Sequence, residues 1–255
     1  MREKASRTAR VGHPRVVATQ RDLDLLTLVG LTRGATTVQL ARVFFPNEDR
    51  ARRRLRSLFD AGLLHVTLTS STSPNLVTLA RPGRDLLLAS RPALRERVEP
   101  SRPLAPHAVR HHLLVVELRL WLILLKRQGV VGRLVVETPP GDLASWRRHH
   151  LIPDAVADLD VGGQGRLIAL EADRGTEAAV VLEDKLARYV GALREGVADG
   201  LVIGVEGDLP ELRRVAGIAR RTGLGRGVAV VSTEALRTGD PTALRAALAH
   251  LHGIP

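Results

Sequence analysis

The sequence predicts an α+β protein in which a helical N-terminal part precedes a larger α/β part. Three observations support this prediction. Helix and strand patterns follow a different order before and after residue 106. The stretch 91–106 holds four prolines, a density that stops helices and central strands. Residues 1–106 carry 19 basic and 9 acidic side chains, whereas residues 107–255 carry 19 and 18. We therefore predict a first domain over residues 16–90, a linker over 91–106 and a second domain over 107–255.

Composition excludes several classes of protein. The 255 residues include no cysteine, which rules out a disulfide-stapled module, a thiolate zinc site and a cysteine nucleophile. The formal net charge of +11 indicates a polyanionic partner. The basic N-terminal stretch lacks the apolar block of a signal peptide, and we expect a flexible arm there. The apolar run 113–125 includes Glu117 and Arg119 and is shorter than the ~20 residues that span a bilayer, so we expect a buried helix and a cytoplasmic protein.

The first domain has the element order of a winged helix-turn-helix. Thr19 and Thr36 are expected to cap two helices, from Gln20 to about residue 29 and over 37–44. Pro46 and Asn47 precede a third helix from Glu48 to about residue 61, which Gly62 ends. Two strand-like runs, 63–68 and 76–79, then predict a hairpin. A turn at Pro82 and Gly83 and a short closing helix through residues 86–88 follow.

The third helix carries the densest basic cluster of the chain. At 100° per residue its apolar stripe consists of Ala51, Leu55, Leu58 and Phe59. Arg50, Arg53, Arg56 and Ser57 lie opposite this stripe, and Arg52 and Arg54 flank it. Arginines on such a helix bind phosphates and guanine edges, so we predict that these six residues contact double-stranded DNA. A solvated basic face, or a winged helix that binds protein, is the alternative, since only three of the 38 basic residues are lysines.

The second domain has the element order αβββαβ. A helix is predicted over 108–128, and glycines and polar turns separate the elements that follow. Three strands come next, at 133–137, 151–159 and 166–172, and then a helix at 176–195 and a strand at 200–205. A further helix (209–222), strand (227–232) and helix (241–251) extend the sheet or cover it.

Acidic residues fall at the ends of the predicted strands. Asp154 follows Pro153 at the second strand, and the third strand ends in Glu171, Ala172 and Asp173. Side chains two apart on a strand share a face, so Glu171 and Asp173 project together and Asp154 can meet them from the next strand. Clustered carboxylates suit Mg²⁺, which also keeps water and phosphate ligands. Pairing of Glu171 and Asp173 with Arg174, or capping of the next helix, is the alternative.

These residues resemble two known groups. Pro153-Asp154 followed by Glu171-x-Asp173 is similar to the PD-(D/E)xK nuclease superfamily, except that Asp173 replaces the motif lysine. The segments ARVFF, RRRLRSL, His111-His112-Leu113, Pro153-Asp154-Ala155 and LEADRGTE…KLARY resemble the bacterial plasmid replication-relaxation family over about residues 18–205. That resemblance implies DNA binding, a role in plasmid or mobile-element replication, and a restriction-endonuclease-like core.

The resemblance also implies roles for individual residues. Asp154 and Glu171 would be the metal ligands, and Lys185 on the following helix would replace the missing motif lysine. Glu117 on the first helix would be the additional helical carboxylate that some superfamily members use. Lys185 is also explained as a lysine that lies along the edge of an amphipathic helix with its amine in water.

Two functions follow from these patterns. The first is a DNA-binding accessory protein of plasmid or mobile-element replication or transfer, with a nuclease-like domain that is inactive or weakly active. The alternative is a Mg²⁺-dependent endonuclease that hydrolyses phosphodiesters with Asp154, Glu171 and Lys185, Asp173 and Glu117 completing the catalytic set. Both predict double-stranded DNA as the partner, with replication or transfer proteins and a homodimer as further partners, and no membrane.

Overall fold

The computed structural model describes residues 16–67, 74–98, 104–137, 141–224 and 227–251, and it confirms the predicted α+β class. The basic N-terminal stretch 1–15 lies outside the described residues. Contacts divide the chain into two compact units, Met1–Leu113 and Leu114–Pro255. Within the described ranges, no helix combines the length and the apolar character needed to cross a membrane.

Three capped helices open the first unit: α1 (Gln20–Thr32), α2 (Thr37–Phe44) and α3 (Glu48–Asp60). Thr19 and Thr36 each form a capping box, in which the threonine hydroxyl accepts from the third helical amide and the side chain at that position accepts from the cap. The Asn47 side chain accepts a hydrogen bond from the amide of Arg50, 3.0 Å away. Short polar side chains therefore set all three helix starts, as the sequence predicts.

A hairpin and a fourth helix complete the first unit. β1 (Leu64–Thr67) pairs antiparallel with β2 (Leu76–Leu79), and Ala35, between α1 and α2, forms an isolated bridge to Val77. The tip of the hairpin, residues 68–73, lies outside the described residues. α4 (Arg81–Ser90) follows, with Gly83 packed so closely that a Cβ there would lie 2.0 Å from the Leu63 carbonyl oxygen.

The segment predicted as a linker is partly structured. Residues Pro92–Leu94 form a 3₁₀ turn, and Val98 is 1% exposed. A methyl group on Gly30 of α1 would lie 3.2 Å from Val98 Cγ1, so Val98 packs on α1. The division into units falls after Leu113, whereas the second domain is expected to start at residue 107. Within the first unit, His112 Nε2 lies 3.0 Å from the Gly34 carbonyl oxygen. Val98 is packed on α1, although its segment is predicted to be a linker, because its apolar side chain is buried. The proline content of the segment does not predict such burial.

The second unit contains a mixed sheet whose elements follow the predicted αβββαβ order, except that a short helix lies between the first two strands. Its elements are α5 (Val109–Arg127, which begins in the first unit), β3 (Leu134–Glu137), α6 (Leu143–Arg148), β4 (Ala155–Val161), β5 (Gln164–Asp173), α7 (Ala179–Arg194), β6 (Gly200–Val205), α8 (Leu209–Arg221), β7 (Val228–Ser232), α9 (Thr233–Thr238) and α10 (Thr242–Leu248). The described strands lie in the order β3-β4-β5-β6-β7. β3, β4 and β5 pair antiparallel, whereas β5, β6 and β7 pair parallel.

Helices cover both faces of this sheet. On one face, α5, α9 and α10 pack on residues such as Leu170 and Val202, with Trp121 fully buried. On the other face, α6, α7 and α8 pack on residues such as Ala169 and Ile203. The short helices α6 and α9 are absent from the sequence prediction. The predicted second strand also begins late, at Ala155 rather than 151, because the chain leaves α6 through a turn with His150 at φ 53°.

Candidate functional site

The apolar face of α3 is the predicted one. Ala51, Leu55, Leu58 and Phe59 are buried, and they hold the helix against the rest of the first unit. The opposite face is exposed at Arg50, and also at Arg53, one turn further along. Among the described residues, the guanidinium groups of Arg50 and Arg53 have no ion-pair or hydrogen-bond partner. These two cations are therefore available to an external anion.

The other predicted DNA-contacting residues on α3 have partners within the chain. Arg52 pairs with Glu48 at 2.9 Å, and Arg56 pairs with Asp60 at 2.9 Å and lies over the ring of Phe59. Both pairs are exposed i,i+4 contacts, which contribute only about 0.3–0.5 kcal/mol and release easily. The Ser57 hydroxyl donates to the Arg53 carbonyl, 3.1 Å away.

Arg54 has a different environment. Its Nε and Nη2 donate to both carboxylate oxygens of Asp22 on α1, at 3.0 and 2.5 Å, and Nη2 also donates to the Val17 carbonyl. The Asp22 side chain is 0% exposed. Burial alone would raise the pKa of Asp22, but hydrogen bonds from Arg54 and Thr19 outweigh it and lower the pKa. Arg54 thus neutralises a buried carboxylate, and it is geometrically unlike Arg50 and Arg53.

In the second unit, the structure brings Asp154 and Glu171 together. The β4–β5 register pairs Ala155 with Leu170, so one step further places Asp154 directly opposite Glu171. Side chains at such positions have Cβ atoms about 5 Å apart. Asp154 Oδ2 also accepts a hydrogen bond of 2.8 Å from the amide of Ala172. The carboxylate of Asp154 is therefore held beside that of Glu171.

Two side chains of α7 engage the carboxylate of Glu171. Lys185 Nζ lies 2.6 Å from Oε2, and the hydroxyl of Tyr189 donates to Oε1. Glu171 is 3% exposed and Tyr189 is fully buried, so bulk water does not compete for the hydrogen bonds between these side chains. Lys185 and Tyr189 are four residues apart, which puts them on the same face of the helix. α7 thereby gives both oxygens of Glu171 a donor.

Burial has the largest effect on the pKa of Glu171. It raises the pKa of Glu171 to about 7, against the charge of Lys185, and Asp154 raises it further. Burial would lower the pKa of Lys185, but Glu171, Asp154 and Glu177 outweigh it and raise that pKa. Burial, together with Glu171, raises the pKa of Tyr189 well above its ordinary value. At neutral pH the lysine is therefore charged and the tyrosine is a neutral donor.

Asp173 and Glu117 do not join this group of donors and acceptors. Asp173 Oδ1 accepts from the amide of Gly175 at 2.8 Å, and Oδ2 lies 3.6 Å from Arg214 Nη2 on α8. The alternative partner Arg174 lies 3.5 Å from Glu206 instead. Glu117 lies on α5, which packs on the other face of the sheet, and its Oε1 is 3.7 Å from Arg237. Sequence spacing could not separate these positions, because it does not say which helix packs on which face.

The pair Asp154 and Glu171 fits a divalent cation poorly in this arrangement. Two carboxylates are enough by ligand type, since Mg²⁺ retains several waters. However, the ammonium of Lys185 already neutralises Glu171, and the adjoining cleft between Glu171, Asp173 and Lys185 measures about 10 Å³, room for about one water molecule. Within the described ranges, no three acidic or histidine side chains are grouped so as to hold a metal ion.

A family match covers both the α3 region and this carboxylate group. Residues 26–202, more than half of the chain, match the replication-relaxation family. The chain belongs to the replication-relaxation family. Membership associates it with plasmid replication. A comparison with curated proteins gave no match.

Three partner residues in this replication-relaxation protein escaped the sequence prediction. Tyr189, the single tyrosine of the chain, has no role in the sequence prediction. Its position four residues after Lys185 is the signal that could have found it. Asp22 lies three residues after the cap Thr19, at a position where helix capping is a sufficient reason for an acidic residue. The sequence therefore gives no sign of its pairing with Arg54. Arg214 carries no local signal, because α8 meets β5 only in the folded chain.

Arg54→Ala should destabilise the first unit much more than Arg53→Ala. Losing Arg54 leaves Asp22 buried and unpaired, which costs about 3 kcal/mol, the lower end of the usual range because a quarter of Arg54 is exposed. Arg53 is exposed, so its loss should change the unfolding free energy by less than about 0.5 kcal/mol. Urea unfolding of the two variants measures this difference. Equal stability would contradict the structural role of Arg54.

Glu171→Gln should remove part of the pH dependence of stability. The pKa of Glu171 rises from 4.5 in the unfolded chain to about 7 in the folded one, so the folded state holds an extra proton between these values. Its stabilising contribution is complete below pH 4.5 and is lost as the pH rises through 7, at up to about 1.4 kcal/mol per unit. Glutamine keeps the shape without titrating.

Urea unfolding between pH 5 and 8, in the presence of EDTA, tests this prediction. The unfolding free energy of the unmodified protein should fall more steeply with pH than that of Glu171→Gln. Parallel pH profiles for the two proteins would show that Glu171 does not titrate in this interval.

Proposed function

We propose that the chain is a DNA-binding accessory protein of plasmid or mobile-element replication or transfer, and that its nuclease-like unit is inactive or weakly active. The observation that carries this proposal is the exposed arginine face of α3. Arg50 and Arg53 stand one turn apart on the third helix of a unit that has the element order of a winged helix-turn-helix. In that fold the equivalent helix enters the major groove of double-stranded DNA.

The surroundings of α3 support DNA as the ligand. The first 106 residues have ten more basic than acidic side chains, so the local field attracts a polyanion. Arg52 and Arg56, with Ser57, flank the free pair, and their exposed ion pairs can exchange a carboxylate for a phosphate at small cost. Arg54 is excluded from this surface because it neutralises Asp22. Phosphate contacts by the residues of this surface, without Arg54, would bind the protein to plasmid DNA.

The environment of Glu171 argues against catalysis by the second unit. A metal ion at Glu171 would have to displace the ammonium of Lys185, which lies 2.6 Å from Oε2. The same lysine would then have to act on water while Tyr189 still holds Oε1. In the present arrangement all three side chains stabilise one another, as a buried ion pair with an added hydrogen bond.

One observation favours the second candidate, a Mg²⁺-dependent endonuclease. Asp154, Glu171 and Lys185 come from three separate elements, yet they are close enough for each to shift the pKa of another. If Lys185 releases Glu171, Asp154 and Glu171 would hold Mg²⁺, and Lys185 would stabilise or activate the attacking water. Asp173, bound by Gly175 and Arg214, would remain outside this set.

Arg50→Ala/Arg53→Ala should weaken binding to duplex DNA and flatten its salt dependence. Each lost phosphate contact lowers the slope of log K against log salt by about one. Fluorescence anisotropy at several salt concentrations measures both quantities. The control is Arg194→Ala/Arg213→Ala, which removes the same charge from exposed positions on α7 and α8. An equal loss in both variants would indicate general charge attraction and would sink the α3 assignment.

The purified protein should bind supercoiled plasmid without nicking it in Mg²⁺ or Mn²⁺. Agarose electrophoresis detects nicking, and a gel shift on the same samples confirms binding. Asp154→Ala/Glu171→Ala is the control. Metal-dependent nicking that disappears in this control would establish the endonuclease instead, whereas nicking that persists in it would come from a contaminant.

A further inference from the structure

The first turn of α3 carries an exposed carboxylate, that of Asp49, directly before Arg50 and four residues before Arg53. An acid four residues before a base is well placed to pair with it on a helix. The same helix forms two such pairs: Arg52 with Glu48, and Arg56 with Asp60. The Asp49 side chain, however, has no ion-pair or hydrogen-bond partner among the residues that the structure describes. Asp49 and Arg53 are therefore both available to an external ligand.

Asp49 lies on the face of α3 that is turned away from the core. At 100° per residue, Asp49, Arg50 and Arg53 lie within about 60° of the direction opposite the buried apolar stripe of the helix. Glu48 lies more than about 100° from that direction. In a helix-turn-helix, the N-terminal residues of the recognition helix contact base edges in the major groove. Asp49 combines that outward face with that end of the helix.

The chemistry of a carboxylate limits what Asp49 can bind in DNA. A carboxylate accepts hydrogen bonds and donates none. Phosphate oxygens, guanine O6 and N7, and thymine O4 are acceptors as well, so they repel it. Adenine has an amino group in the major groove, but the N7 acceptor of the same base lies beside it. Cytosine presents only a donor there, its N4 amino group, and is therefore the base that matches Asp49.

We infer that Asp49 determines part of the DNA sequence specificity of α3, by accepting a hydrogen bond from the N4 amino group of a cytosine in the major groove. The inference rests on the proposed binding of DNA by α3 and adds to it a base that is read. Arg50 and Arg53 attract the duplex and offset the repulsion between Asp49 and the phosphates. Asp49 lowers the affinity for every site that lacks cytosine at its position, so specificity comes partly from rejection of the other bases.

Selection by the full chain from a library of duplexes with a randomised central segment tests this inference. Sequencing of the retained duplexes gives the preferred site, and fluorescence anisotropy measures the affinity for this site and for each single base-pair change in it. Replacing one cytosine of the site should weaken binding of the unmodified protein about fivefold or more. Asp49→Ala should lose that penalty and bind unrelated duplexes more tightly, because a negative charge is removed. Asp49→Asn should prefer adenine at that position, since an asparagine amide matches adenine N6 and N7.

Glu48→Gln is the matched control, because it removes the same charge from the same turn on another side of the helix. It should keep the base preferences of the unmodified protein, and circular dichroism melting of every variant checks that it is folded. If the unmodified protein retains no duplex, the proposed DNA binding is refuted and this inference with it. If it retains duplexes but both folded Asp49 variants select the same site, only the role of Asp49 is refuted. An equal change of preference in Glu48→Gln and Asp49→Asn would also overturn that role.

Discussion

Strand β5 must be buried on both of its faces, and much of the second unit follows from this constraint. It lies in the middle of the sheet, antiparallel to β4 and parallel to β6. Residues 168–173 are all buried, so helices have to cover the sheet above and below. The parallel β5–β6 connection requires a crossover, which α7 provides. The same helix brings Lys185 and Tyr189 to Glu171, the buried carboxylate that this strand places beside Asp154.

Burial of charge is handled alike in the two units. The carboxylates of Asp22 and Glu171 are both buried, and each is paired with a cation. Arg54 binds both oxygens of Asp22, whereas Lys185 binds one oxygen of Glu171 and Tyr189 the other. The pKa responses are opposite in direction, because the bonds to Asp22 outweigh its burial whereas burial outweighs the bonds to Glu171. Buried ion pairs of this kind contribute little net stability, but losing one partner is costly. Arg54 and Lys185 are therefore held by buried carboxylates, whereas Arg50 and Arg53 remain available to bind an external anion.

Much of the fold is predictable from local patterns. Thr19, Thr36 and Asn47 start the first three helices as expected, and β6 spans the residues predicted for it. The opposition of Asp154 and Glu171 also follows from strand spacing. The short helix α6 escaped prediction because six residues are too few for a clear period, and Val98 because a single apolar contact in a proline-rich stretch leaves no pattern.

The sequence by itself determined the α+β class, the order of the strands and longer helices, the arginine face of α3 and the charge difference between the two parts. These properties depend on neighbours along the chain, through periodicity, capping and turn chemistry. Only the tertiary structure decided that Arg54 neutralises Asp22, that Tyr189 and Lys185 share Glu171, and that Glu117 lies on the other face of the sheet. The reason is physical: such partners are separated by 14 to 120 residues, and only packing chooses among them.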